Sequence, residues 1–232
     1  MARQQPAQQA PPVQRLRIRY AKRGRLRFAS HRDFARAFER ALRRAGVPMA
    51  YSSGFSPHPR ISYANAAPTG AASEAEYLEI ALVRECDPAA VRDALDASLP
   101  AGLDVLDAVP ARAGALADRL TGSRWRIEVS GVDEETLRDA VTAFLAADEV
   151  AVERMMKSGL RRFDARGPVV ALEVRDGVLD LLVEHGTPLV RPDDVVQALG
   201  RVRPGVPEGL SARATRLRQG TLRDGELADP LA

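Results

Sequence analysis

From Arg15 to Tyr20 the chain alternates without a break: Leu16, Ile18 and Tyr20 fall on one side, Arg15, Arg17 and Arg19 on the other. A period of two belongs to an extended strand, whose successive side chains point to opposite faces of a sheet. The spacing predicts a half-buried strand over residues 13–20, and it constrains the layers around it. The apolar face needs a cover; the arginine face is expected to look toward solvent. The next segment supplies the cover. Phe34, Phe38, Ala41, Leu42 and Ala45 form one stripe at helical spacing within residues 30–46. Ser30 can cap that helix, Asp33 suits its first turn, and Gly46 and Pro48 stop it. Arg32, Arg36, Arg40 and Arg43 take the opposite face.

The remaining elements follow by the same reasoning. Residues 21–24 read as a turn, and Leu26, Arg27 and Phe28 are expected to pair back on the first strand. A short strand is expected near residues 49–51 and another over 77–83, with Leu78, Ile80 and Leu82 on one face. Asp87 and Pro88 open a helix that runs to Leu99, and 103–109 closes the set. The order β-α-β-β-α-β is that of a ferredoxin-like unit. Beyond a linker at 111–122 the order nearly repeats: a strand through Trp125, Ile127 and Val129, a helix at 133–147 and a strand at 149–156. A hairpin follows around Asp176-Gly177, then a helix at 192–199 and a strand at 212–218. The expected fold class is α+β, two ferredoxin-like halves in tandem at 13–110 and 123–219, the second with an extra hairpin strand. Residues 1–12 and 220–232 are expected as tails. The helices of such a unit cover one sheet face, so replacing Arg15, Arg17 and Arg19 is not expected to disturb folding.

Charge separates the two ends of the chain. Residues 1–70 carry 14 Lys and Arg against only Asp33 and Glu39, although the whole chain is only +3. An excess of this kind points to a polyanion partner. No apolar run is long enough to span a membrane, and the first dozen residues lack the apolar core of a signal peptide. Cys86 is the one cysteine, which excludes an internal disulfide and makes the cytoplasm the expected compartment. His31, His58 and His185 have no ligand spacing, so no metal and no cofactor is expected.

The stretch over residues 51–79 is too long and irregular for a tight turn, and aromatic residues within it argue against disorder. Pro57 and Pro59 hold His58 on a stiff backbone beside Arg60. Phe55 and Tyr63 are expected to anchor the loop; a Phe55 that contributes nothing to stability would instead be a stacking platform for bases. His58 and Glu76 are candidates for acid/base chemistry if they share a cleft. Glu74, Glu76 and Glu79 otherwise read as ion-pair partners of the arginine-rich helix. The candidate ligand- or RNA-binding residues are Arg15, Arg17, Arg19, Lys22, Arg23, Phe55, His58 and Arg60, with Lys157 and Arg162 in the second half.

The runs YAKRGRLRFASHRDFARAFERALRRAGVP (20–48) and YSSGFSPHPRISYANAAPTGAASEAEYLE (51–79) resemble the signature of the radical-SAM-associated domain family of unknown function. KSGLRRFDAR (157–166) resembles a second, shorter motif of that family. The resemblance implies a free-standing member without the radical SAM domain. It also implies a setting near RNA, with a radical SAM or ribonuclease E/G-type protein as partner. A radical SAM cluster needs three cysteine ligands, so a chain with Cys86 alone does not perform that chemistry by itself. The expected function is an accessory RNA- or nucleotide-interacting protein. An enzyme of RNA or nucleotide modification built on the 51–79 loop and a protein–protein adaptor are the alternatives.

Overall fold

The computed structural model describes residues 8–156, 159–203, 205–206 and 211–232. The chain is a mixed α+β protein that divides between Asp118 and Arg119 into two compact units. Among the described residues no helix is long and apolar enough to cross a membrane.

The first unit contains β1 (Gln14–Lys22), α1 (His31–Arg44), β2 (Ile61–Ala64), β3 (Ala72–Leu82), α2 (Pro88–Asp96) and β4 (Leu103–Pro110). Its strands lie in the order β4-β1-β3-β2, each neighbour antiparallel. The alternation in β1 does what its period requires. Leu16, Ile18 and Tyr20 are buried with Leu78, Ile80 and Leu82 of β3 under Phe34, Phe38 and Leu42 of α1. The Tyr20 and Phe34 rings stack at 4.4 Å. Ser30 accepts from the Asp33 amide while the Asp33 carboxylate accepts from the Ser30 amide, a capping box that fixes where α1 starts. The Ser30 hydroxyl, which donates to the Asp33 carboxylate at 2.6 Å, and then the Ser30 amide hold the Asp33 carboxyl below its usual range. Asp87 caps α2 through the amides of Ala89 and Ala90.

Two local expectations are corrected. Leu26, Arg27 and Phe28 do not pair on β1; Gly24–Phe28 is a 3-10 turn. Gly24 takes φ +55, which redirects the chain and lets Leu26 pack on the core. Residues 49–51 form only isolated bridges, Met49 to Leu82 and Tyr51 to Pro59.

The second unit contains β5 (Gly122–Ser130), α3 (Glu134–Ala146), β6 (Ala151–Met156), β7 (Gly159–Asp164), β8 (Val169–Arg175), β9 (Val178–Glu184), α4 (Pro192–Val202), β10 (Ser211–Arg223) and β11 (Glu226–Ala228). Four strands run in the order β10-β5-β9-β8, and β6 and β7 pair as a separate ribbon. The strand expected at 149–156 is thus one arm of a two-stranded ribbon, whose other arm, β7, sequence reasoning does not anticipate. The segment 220–232 is not a tail. β10 continues to Arg223, Asp224 and Gly225 turn the chain at positive φ, and β11 returns along β10 with Leu227 buried.

Phe38 is fully buried between α1 and the sheet. Phe38→Ala is expected to lower stability by about 3–5 kcal/mol, read as a fall in the urea midpoint at unchanged slope.

Candidate nucleic-acid interface

The arginine face of β1 is not an open platform. The register sets Glu79 of β3 opposite Arg17 and Asp107 of β4 opposite Arg19. Arg17 is 1% exposed. Its Nε donates to Glu79 Oε2 at 3.3 Å, and its Nη2 donates to the carbonyls of Arg112 at 2.9 Å and Gly114 at 2.6 Å. Arg15 Nη1 reaches the other Glu79 oxygen at 3.0 Å. Arg19 Nε stands 3.0 Å from Asp107. Arg23 binds Glu74, and Asp104 at 2.6 Å. Those carboxylates hold the Arg23 guanidinium still more firmly protonated, the Glu74 hydrogen bond contributing most. The expectation that Arg15, Arg17 and Arg19 all face solvent is therefore corrected. Of the acids expected to pair with the helix, Glu79 serves β1 and Glu74 serves Arg23.

This pairing relocates the basic excess. The arginines of β1 and Arg23 are matched by acids that lie beyond residue 71 in the sequence. Arg25 and Arg27 of the 3-10 turn, Arg32, Arg36, Arg40, Arg43 and Arg44 of α1, and Arg60 make no ion pair among the described residues. Arg25, Arg32, Arg36, Arg40, Arg43 and Arg44 are exposed.

Residues 51–60 fold back as a small hairpin. Ser52 N donates to the His58 carbonyl at 2.9 Å, and Arg60 N to the Ala50 carbonyl at 2.8 Å. Ser52 Oγ stands 2.9 Å from His58 Nδ1 and accepts from the His58 amide at 3.1 Å. Arg60 Nε donates to the Tyr51 carbonyl at 3.1 Å. Phe55 at the tip is 68% exposed and Tyr51 38%. Phe55 is therefore no buried anchor; Gly54, at φ +138, and the two prolines set the backbone so that its ring lies outside the core. Tyr63 does pack, edge-on against His31 at 4.7 Å and Phe34 at 5.9 Å. Burial, and then the Glu39 charge, push its phenol well above the usual range.

His58 and Glu76 are not brought together. Glu76 is 2% exposed and accepts from the Ala67 amide at 3.0 Å. It lines a crevice of about 20 Å³ with Lys22 and His31. Lys22 is likewise buried, its Nζ 3.5 Å and 3.4 Å from the carbonyls of Ala67 and Pro68. Lys22, expected at a binding surface, and Glu76, a candidate for acid/base chemistry, instead fasten the chain at 67–68 to the sheet.

In the second unit Arg162 is exposed on β7, opposite Glu153 of β6. Lys157 lies outside the described residues. Arg154 binds Asp194 and the Leu189 carbonyl, and Arg166 binds the carbonyls of Val169 and Leu145, so these two guanidiniums are structural. Burial pushes the Asp194 carboxyl up and the Arg154 guanidinium down. His185 is held between the Leu120 carbonyl at 2.7 Å (Nδ1) and Ser123 Oγ at 2.9 Å (Nε2). Burial lowers its pKa below the ordinary 6.5. Among the described residues no group of three His, Cys, Asp or Glu side chains is placed to hold a metal ion. Phe28 is an exposed aromatic that sequence reasoning misses: it is 59% exposed, with the Arg27 guanidinium 4.6 Å from its ring centre. The adjacent Arg27-Phe28 pair is the signal that could have found it.

Two outcomes follow from this geometry. Arg17→Met is expected to cost about 3–5 kcal/mol because it strips the buried partner from Glu79 and from two carbonyls, whereas Arg15→Ser stays within about 1 kcal/mol. Urea unfolding of both variants measures the contrast. For His185, the unfolded chain takes up protons more readily than the folded one, so stability falls as pH drops below about 6.5. Urea midpoints between about pH 7 and about pH 5 should fall less in His185→Gln than in the parent.

No curated protein matches this chain. Among solved structures, it is similar to a chain in the crystal structure of a Cbf5-Nop10-Gar1 complex at 13% identity and a TM-score of 0.45. That similarity covers 94% of this chain and 55% of the other, so the chain spans little more than half the length of that relative. Over residues 15–192 the sequence matches the model of a family described as an uncharacterized protein conserved in bacteria (DUF2344), and that is the family to which this chain belongs.

Proposed function

We propose that this protein is a non-catalytic accessory factor that binds single-stranded RNA through the 51–60 hairpin and the arginine surface of α1. The observation that carries the reading is the Phe55 ring, 68% exposed at the tip of a hairpin closed by its own backbone bonds. A ring this exposed has surface on which a base can stack. His58 and Arg60 lie on the returning arm of the same hairpin. The exposed arginines of α1 supply charge for phosphates, which sets affinity without sequence preference.

Each unit, on this reading, is ferredoxin-like. The strand orders β4-β1-β3-β2 and β10-β5-β9-β8 support it, with the β6–β7 ribbon as an insertion. RNA readers of this topology use the open sheet face. Here the open-face arginines are taken by Glu79 and Asp107, so the binding role falls to the hairpin and the helix. The resemblance of residues 20–48 and 51–79 to radical-SAM-associated domains leads us to place a radical SAM or ribonuclease E/G-type protein as the working partner, in the cytoplasm. The enzyme alternative loses its expected dyad, because Glu76 is buried beside Lys22, whereas His58 is exposed on the hairpin and hydrogen-bonded to Ser52.

Fluorescence anisotropy with a labelled single-stranded RNA over a salt series tests the proposal. Phe55→Ala is expected to weaken binding by about 1–3 kcal/mol, the value of one stacked base, at unchanged melting temperature. Arg36→Ser with Arg40→Ser should lower the salt slope by roughly 0.7 for each phosphate that is no longer neutralised. Full RNA affinity in the Phe55 variant would overturn the interface.

A further inference from the structure

Within the first unit, a cavity of about 510 Å³ lies on the arginine face of the sheet, walled by Arg15, Ser62, Glu79 and the chain at 111–117. Its size is that of a site for a small organic ligand. We infer that it binds a phosphomonoester, carried either by a free nucleotide or by the 5′ end of an RNA strand.

Charge is the first argument. Among the described residues Glu79 is the only carboxylate in the wall, while Arg15 and Arg112 both line it and Arg17 is held directly on Glu79. One acid against three guanidiniums leaves two positive charges unbalanced. A phosphomonoester carries about −1.5 to −2 at neutral pH and matches that excess, whereas a carboxylate or an internal phosphodiester brings only about −1. Construction is the second argument. Arg17 spends its Nε and Nη2 on the wall itself, on Glu79 and on the carbonyls of Arg112 and Gly114. Its buried Nη1 has no hydrogen-bond partner among the described residues. A buried donor without an acceptor is costly, and its charge adds to the positive balance beside Glu79 in the wall. Arg17 is thus a positioning residue, and Arg15 and Arg112 are the contact residues. The third argument is access. Alanines at 111, 113, 115 and 117 with Gly114 give the 111–117 wall small side chains, which leave room for a sugar and a base. Ser62, exposed on β2, adds a hydroxyl donor.

This site shares phosphate chemistry with the proposed interface but none of its residues. The test is titration calorimetry on the full chain with the four ribonucleoside 5′-monophosphates, their nucleosides, and one oligoribonucleotide with either a 5′-phosphate or a 5′-hydroxyl. At least one monophosphate, or the 5′-phosphorylated strand over its 5′-hydroxyl twin, is expected to bind at least ten-fold better than the form without phosphate. A response to monophosphates assigns a free nucleotide; a response to the phosphorylated strand alone assigns an RNA end. The double variant Arg15→Ser, Arg112→Ser should lose at least ten-fold at unchanged melting temperature. Ser62→Trp, which fills the cavity without touching its charge, should lose as much. Phe55→Ala should leave this binding as it was, which separates the site from the hairpin interface. No phosphate preference in any pair, or full binding in both cavity variants, overturns the inference.

Discussion

The hydrogen-bonded pair of Arg17 and Glu79 decides what the first unit can present to a partner. A guanidinium 1% exposed in a sheet is costly unless each of its faces is answered. Glu79 answers one side, and the carbonyls of Arg112 and Gly114 answer another. The chain beyond β4 must therefore come back over the sheet, because its backbone supplies two of the acceptors. The same pair turns an arginine-rich strand from a binding surface into a structural one, and leaves a cavity beside it.

Charge pairing then has a consequence for function. Acids from β3 and β4 pair with the arginines of β1, Arg15 and Arg17 sharing Glu79, so most of the excess of the first 70 residues lies on the 3-10 turn, α1 and Arg60. The long loop divides in a similar way. Its second part is tied down by buried Lys22 and Glu76, while its first part is a self-closed hairpin with Phe55 outward. A hairpin that holds itself in shape loses less entropy on binding than an unstructured loop.

Much of the fold is legible from periodicity. The β1 alternation, the α1 stripe with its Ser30 cap, and the Asp176-Gly177 hairpin all read directly, because each is a local signal confirmed by its own residues. The Asp224-Gly225 turn carries the same signature, although the segment around it reads as a tail. β7 is hidden because Gly159 and the arginines 161 and 162 give no apolar alternation on an exposed ribbon. The site is less legible for a physical reason. Whether Arg17 faces water depends on which residue lies across the ladder, and Glu79 is 62 residues away in sequence. Period two assigns a face; it does not say what covers that face. Phe55 misleads for the converse reason, since an aromatic in a loop is equally consistent with an anchor and with a contact surface until its exposure is known.

The most direct test of the division between structural and binding arginines is an NMR titration with a single-stranded RNA bearing a 5′-hydroxyl. The account predicts the largest shifts in the amides of residues 51–60 and the arginine side chains of α1, with the Arg17 Nε–H signal unmoved. A response centred on Arg17, Arg19 and Glu79, with the hairpin silent, would contradict it.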